Sequence, residues 1–130
     1  MTRHLHYMTR VLIVESRTEL GEIWQRHLER QSMLVVRAHG QKEAIEHLAE
    51  HDVDIIILDL FIEEGAALAV SDYANYRRPE TQVIFVTNTS FFSDGSIFAH
   101  CANARAFVQS NTPPEDLAAM VEYYGAEAPA

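Results

Sequence analysis

The chain has 130 residues, of which 48% are hydrophobic, and a formal net charge of −9. That length suits one packed domain, the apolar content excludes a disordered tail, and the acidic balance argues against nonspecific nucleic-acid binding, which needs clustered cations against phosphate. No apolar run approaches the ~20 residues of a membrane-spanning helix, residues 1–7 lack the apolar core of a signal peptide, and a single cysteine, Cys101, excludes an internal disulfide and suits a reducing, cytoplasmic setting.

Residues 1–9 read as an N-terminal extension, because Met8-Thr9-Arg10 repeats Met1-Thr2-Arg3 just before the first strand. Val11-Leu12-Ile13-Val14 is an apolar run closed by an acid, Glu15. Ser16 or Thr18 can cap a helix next, and Leu20, Ile23, Trp24, His27 and Leu28 recur at the spacing of one apolar helical stripe. Residues 33–36 form a second strand, and residues 41–50 a helix with Ala44, Ile45, Leu48 and Ala49 inward. Ile55-Ile56-Ile57-Leu58 fits a strand buried on both faces, as in a parallel sheet. It ends in Asp59. An acid there is costly if buried and unpaired, but tolerable at a strand's carboxyl end, where open α/β sheets place their ligand sites. The competing reading is an Asp that caps the following loop.

Glu63-Glu64-Gly65 then turns the chain toward a helix over residues 65–77, which ends before Pro79. Residues 83–86 are an apolar strand closed by Thr87. A loop carrying Phe91 and Phe92 leads to a short helix over residues 96–102, then a fifth strand over residues 106–108. Pro113 opens a last helix with Leu117, Met120, Val121 and Tyr124 on one face, and residues 125–130 read as a tail. Five alternating β-α units imply a parallel sheet covered on both faces in one domain, residues 10–124. Right-handed crossovers gather Glu15, Ser16, Asp59, Thr87 and the residues after Phe107 at one rim.

With Asp59-Leu60 followed by Gly65, Val83 to Thr87, and Ala104-Arg105-Ala106-Phe107-Val108 in this order, the chain resembles the response-regulator receiver domain of two-component signalling. The resemblance runs from about Arg10 to Tyr124. It implies a flavodoxin-like, doubly wound α/β fold with a five-stranded parallel sheet in the order 2-1-3-4-5 and five helices. It also implies a phosphorelay role in which Asp59 accepts a phosphoryl group from a histidine kinase or phosphotransfer protein. Thr87 and Phe107 fall on the switch positions. Glu15, Asp59 and the backbone carbonyl of Phe61 fall on the positions that hold Mg²⁺, which wants about six oxygens.

Several positions depart from the family pattern. The acidic pair reads Glu15-Ser16, with Ser16 where a metal-binding carboxylate is expected. The lysine position aligns with Ser110 and the proline after it with Asn111; Lys42, the sole lysine, begins the second helix. Asn88 follows Thr87 where a small residue is usual, and no proline lies between Leu60 and Glu64. Losing one charge ~4 Å from the metal is worth on the order of a few kcal/mol at an effective dielectric of ~20. Losing the lysine removes a further ~1.5–3 kcal/mol. The expectation is therefore a degenerate, non-enzymatic receiver with a weak or absent magnesium site. Arg17 is read as a solvated arginine in the helix's first turn; the rival is a guanidinium swung over Asp59 in place of metal charge.

His4, His6, His47 and His51 are read as surface residues rather than a metal site, and Cys101 as a core residue. Phe91 and Phe92 are candidates for a partner contact. With no second domain after residue 130, a single-domain regulator acting by protein–protein contact on a downstream target is expected. It would have no nucleic-acid or membrane partner, and a homodimer could form through the fourth helix, fifth strand and fifth helix. Two rivals stand beside it: a docking module that never sees phosphate, and a small-molecule-binding α/β domain. The second lacks a glycine-rich phosphate loop.

Overall fold

The computed structural model describes residues 8–88 and 101–126. In chain order the elements are β1 (Arg10–Val14), α1 (Thr18–Arg30), β2 (Leu34–Ala38), α2 (Gln41–Glu50), β3 (Ile55–Asp59), α3 (Ala67–Arg77), β4 (Gln82–Thr87), β5 (Ala104–Gln109) and α4 (Pro114–Ala126). The strands form one parallel sheet in the order β2-β1-β3-β4-β5, as the resemblance implies. Four helices, not five, are present among the described residues. The helix expected over residues 96–102 lies outside them up to residue 100, and Cys101 and Ala102 are not helical. Phe91, Phe92, His4 and His6 also lie outside the described residues.

The apolar runs are explained by burial on both faces. Leu12, Val14, Ile56, Leu58, Val83 and Phe85 point to one side, against Ala44 and Leu48 of α2 and Val70 and Ala74 of α3. Val11, Ile13, Ile55, Ile57, Ile84 and Val86 point to the other, against Trp24 and Leu28 of α1 and Leu117 and Val121 of α4. Each such side chain removed from water stabilises the fold by about 1.5–3 kcal/mol. Cys101 is buried in the first cluster, as expected. At the opposite end of the sheet from the rim, the buried Asp54 accepts from the Arg10 backbone N–H at 2.8 Å and from its guanidinium at 3.2 Å.

Four local expectations are corrected. Neither Ser16 nor Thr18 caps α1; Arg17 is the N-cap residue and makes no side-chain cap bond. Ile23 is 36% exposed rather than inward, because α1 buries the narrower stripe of Gly21, Trp24 and Leu28. α3 starts at Ala67 rather than residue 65, since Gly65 has φ +80° and forms the turn before it. α4 runs through Gly125 and Ala126 instead of ending in a tail. Gly125 is buried there against Thr9, whose Oγ1 would lie 2.7 Å from any Cβ.

Candidate functional site

The site follows from register. Val14 of β1 pairs with Leu58 of β3, so the next residues, Glu15 and Asp59, stand side by side at the strand ends. Both are 3% exposed. They line a cavity of about 140 Å³ with Ser16, Arg17, Phe61, Glu63 and Asn88. At ~30 Å³ per water, that is room for a few small groups.

Arg17 organises the charge in this cavity. Its Nε donates to Glu15 Oε2 at 3.0 Å and its Nη2 to Glu15 Oε1 at 3.3 Å, a two-pronged fork. The same Nη2 reaches Asp59 Oδ2 at 3.4 Å. Glu15 Oε2 also accepts the Arg17 backbone N–H at 2.9 Å, and Asp59 Oδ1 accepts the Phe61 N–H at 2.9 Å. The expectation of a merely solvated arginine is thus corrected: the side chain stays about half exposed, but a glutamate two residues upstream captures the guanidinium, and β3 brings Asp59 within its reach.

One guanidinium serves two buried carboxylates, and the charge count shows in the acidities. The Asp59 carboxyl is pushed up from 3.8 to about 6, by burial first and then by Glu15, against the lowering pull of the Phe61 N–H and Arg17. The Arg17 guanidinium is held above its ordinary value by its bond to Glu15, against its own partial burial.

Ser16 faces a different task from a metal ligand. Its hydroxyl donates to the His39 carbonyl at 2.8 Å and accepts the Glu63 N–H at 2.8 Å. It therefore ties the loop after β1 to the loops after β2 and β3. The loop after β3 is further fixed to α2: Gln41 N–H donates to the Glu64 carbonyl at 3.0 Å, Lys42 N–H to Glu64 Oε1 at 2.9 Å, and Ala66 N–H to Gln41 Oε1 at 2.8 Å.

Thr87 ends β4, one strand over from Asp59, and is 1% exposed; its carbonyl accepts the Ser110 N–H at 2.6 Å. Phe107 of β5 is half-buried and packs on the cluster that holds Phe85. Ser110 and Asn111 line an open groove of about 750 Å³ with Arg17, Thr18, Glu19, Leu20 and Ile23. His47 and His51 stack at 4.4 Å, and among the described residues no three His, Cys, Asp or Glu side chains are grouped to hold a metal ion.

The model of the response regulator receiver domain matches residues 11–122. The chain belongs to the response-regulator receiver family. It is 30% identical over 113 residues to the response regulator protein PilR of Pseudomonas aeruginosa, covering 87% of this chain but 24% of PilR, so it spans about a quarter of that relative's length. The receiver fold is also seen in a CheY-like receiver domain protein of Methanospirillum hungatei, with a TM-score of 0.84 and 21% identity over 93% of this chain and 96% of that one. A response regulator from Burkholderia pseudomallei, described with a phosphorylated aspartic acid, a calcium ion and citrate, has a TM-score of 0.77 and 18% identity, covering 92% of this chain and 69% of that one.

Receiver domains generally bind a divalent ion at the phosphorylation site, and the residues here do not fit one as they stand. All four carboxylate oxygens of Glu15 and Asp59 already accept a hydrogen bond, three of them from Arg17. Ser16 offers no charge, and its hydroxyl is engaged on both sides. The sequence identified the positions of Glu15, Asp59, Thr87 and Ser110 on the rim. It missed the His39 carbonyl, the Glu63 N–H and the Gln41–Glu64 exchange, because backbone groups and a loop-to-helix contact leave no residue pattern. The one available signal for Arg17 was its place two residues after an acid whose expected partner charge is missing.

Proposed function

We propose that this chain is an atypical receiver that keeps the phosphoacceptor position, Asp59, but works with a weakened phosphorylation site and signals through protein–protein contacts. The observation that carries this reading is the placement of Asp59. It ends the wholly buried β3, at the floor of a small rim cavity, with Glu15 beside it. Thr87 and Phe107 are the switch positions, Ser16 and Ser110 the degenerate ones, and residues 10–124 the receiver unit. The upstream partner is a histidine kinase or phosphotransfer protein in the cytoplasm, and the output is a protein target or a second copy of the chain. No helix among the described residues is long and apolar enough to cross a membrane.

Incubation with magnesium and a small-molecule phosphodonor tests the reading by intact mass. Slow, substoichiometric acyl-phosphate is expected, absent from Asp59→Asn. Stoichiometric labelling within minutes would falsify the weakened site. The internal pairing of both carboxylates with Arg17 supports a second reading, a docking module independent of phosphate. No labelling at any time, with partner capture unchanged by Asp59→Asn, decides for that one.

A further inference from the structure

We infer that Arg17 is a tethered cation that takes the place of a divalent metal between Glu15 and Asp59, so that metal enters the cavity only when this side chain leaves. The inference deepens the receiver reading and rests on it.

Two buried carboxylates on adjacent strand ends make a cation site whatever fills it, because bringing both charges out of water unpaired is prohibitive. Arg17 fills it from within. Its fork holds both oxygens of Glu15 and its Nη2 bridges to Asp59. A metal between the same carboxylates would compete with those bonds for the oxygen lone pairs and sit beside a guanidinium of like charge. The fork closes on the adjacent strand-end acid, with Asp59 at the long end of the reach. Asp59 is therefore the partner released first when the side chain moves. The Arg17 side chain is 46% exposed, so its exit needs no unfolding of the rim.

Ser16 supports this arrangement independently. The position next to Glu15 is spent on joining three loops: its hydroxyl must donate to the His39 carbonyl while it accepts the Glu63 N–H. A carboxylate in its place could accept but not donate, and would face the His39 carbonyl oxygen. The second metal charge is thus replaced by a neutral clasp, and Arg17 carries the positive charge that remains.

Mn²⁺ titration of the full chain, followed by water-proton relaxation, tests this. Arg17→Gln is expected to bind Mn²⁺ at least ~10-fold more tightly than wild type, a fraction of what Coulomb's law gives at this spacing once the exposure of Arg17 is discounted. Arg17→Lys, which keeps the charge, should stay near wild type, and Asp59→Asn in the Arg17→Gln background should abolish the gain. Thermal melts establish that each variant is folded, and Arg17→Lys still decides the matter if Arg17→Gln is not: binding in Arg17→Lys tighter than wild type by the same factor overturns a charge-based block. Unchanged Mn²⁺ affinity in folded Arg17→Gln overturns the inference outright. Phosphodonor labelling in parallel separates the two failures. If Arg17→Gln gains metal but Asp59 never labels, the acceptor reading fails and the tethered cation stands. If wild type labels slowly and substoichiometrically at Asp59 and Arg17→Gln gains no metal, the reverse holds.

Discussion

Asp59 is a carboxylate whose folded environment favours its proton. Its carboxyl is raised from 3.8 to about 6, chiefly by burial. The folded chain therefore binds more protons than the unfolded one between those values. The stability contributed by protonated Asp59 is complete below 3.8 and is lost as pH rises through about 6. Asp59→Asn removes the ionised penalty, keeps an acceptor for the Phe61 N–H, and gives up only the long Arg17 contact. It should be more stable than wild type by about 1–3 kcal/mol at pH 7.5, with the gain shrinking to nothing near pH 4, as urea unfolding at the two pH values reads directly. Ser16 offers a second test at this scale. Ser16→Ala strips the His39 carbonyl and the Glu63 N–H of a partner at an exposed rim and should cost about 0.5–1.5 kcal/mol. Ser16→Thr should recover most of it and Ser16→Asp should not, which separates a donor requirement from mere polarity.

At the level of elements, the loop after β3 and the start of α2 hold each other. The N-cap of α2 is Gly40, which has no side chain to cap the helix, and Glu64 supplies the missing acceptor to Lys42 N–H from across the rim. The carboxylate also sits where the helix dipole favours negative charge. Gln41 returns the contact by accepting Ala66 N–H just before α3. Gly65 makes this exchange possible: at φ +80° a side chain is strained, and a Cβ would strike Gln41. Gly65→Ala is expected to lower stability by about 1–3 kcal/mol through backbone strain and overpacking together. It should also shift the amide resonances of Gln41, Lys42 and Ala66 while leaving those at the other end of the sheet, around Arg10 and Asp54, in place. An unchanged urea midpoint would mean the loop has a second conformation of equal energy.

For the whole molecule, the apolar runs ending in Glu15, Asp59 and Thr87 were enough to read the parallel sheet and its rim, because strands buried on both faces must be continuously apolar. Ile23, Leu34 and Val36 were less legible: exposure at a helix flank or an edge strand depends on what packs next to it, and the pattern of residues does not carry that. At the rim, Asp59 was legible because an acid closes a buried apolar run, whereas the reach of Arg17 and the bond to the His39 carbonyl were not, because each depends on what a neighbouring strand or loop brings close. The sheet's layering has a consequence for motion. Asp59 rides on β3, which is wholly buried, whereas Gln109 and Ser110 ride on or beside β5, an edge strand with no fully buried residue. Local opening follows burial, so edge segments exchange through small fluctuations and central ones only through global unfolding. Native-state hydrogen exchange should find the amides of Ile13, Ile56, Ile57 and Ile84 slowest, with those of β2 and β5 at least ~10-fold faster. Under this arrangement the rim rearranges by movement of β5 and its following loop past a fixed Asp59. Arg17→Gln should then raise exchange at residues 15–17 and 59–61 without changing the central strands. Amides of β5 as slow as those of β3 would remove the mobile half of that arrangement and leave the movement to Arg17 among the described residues of the site.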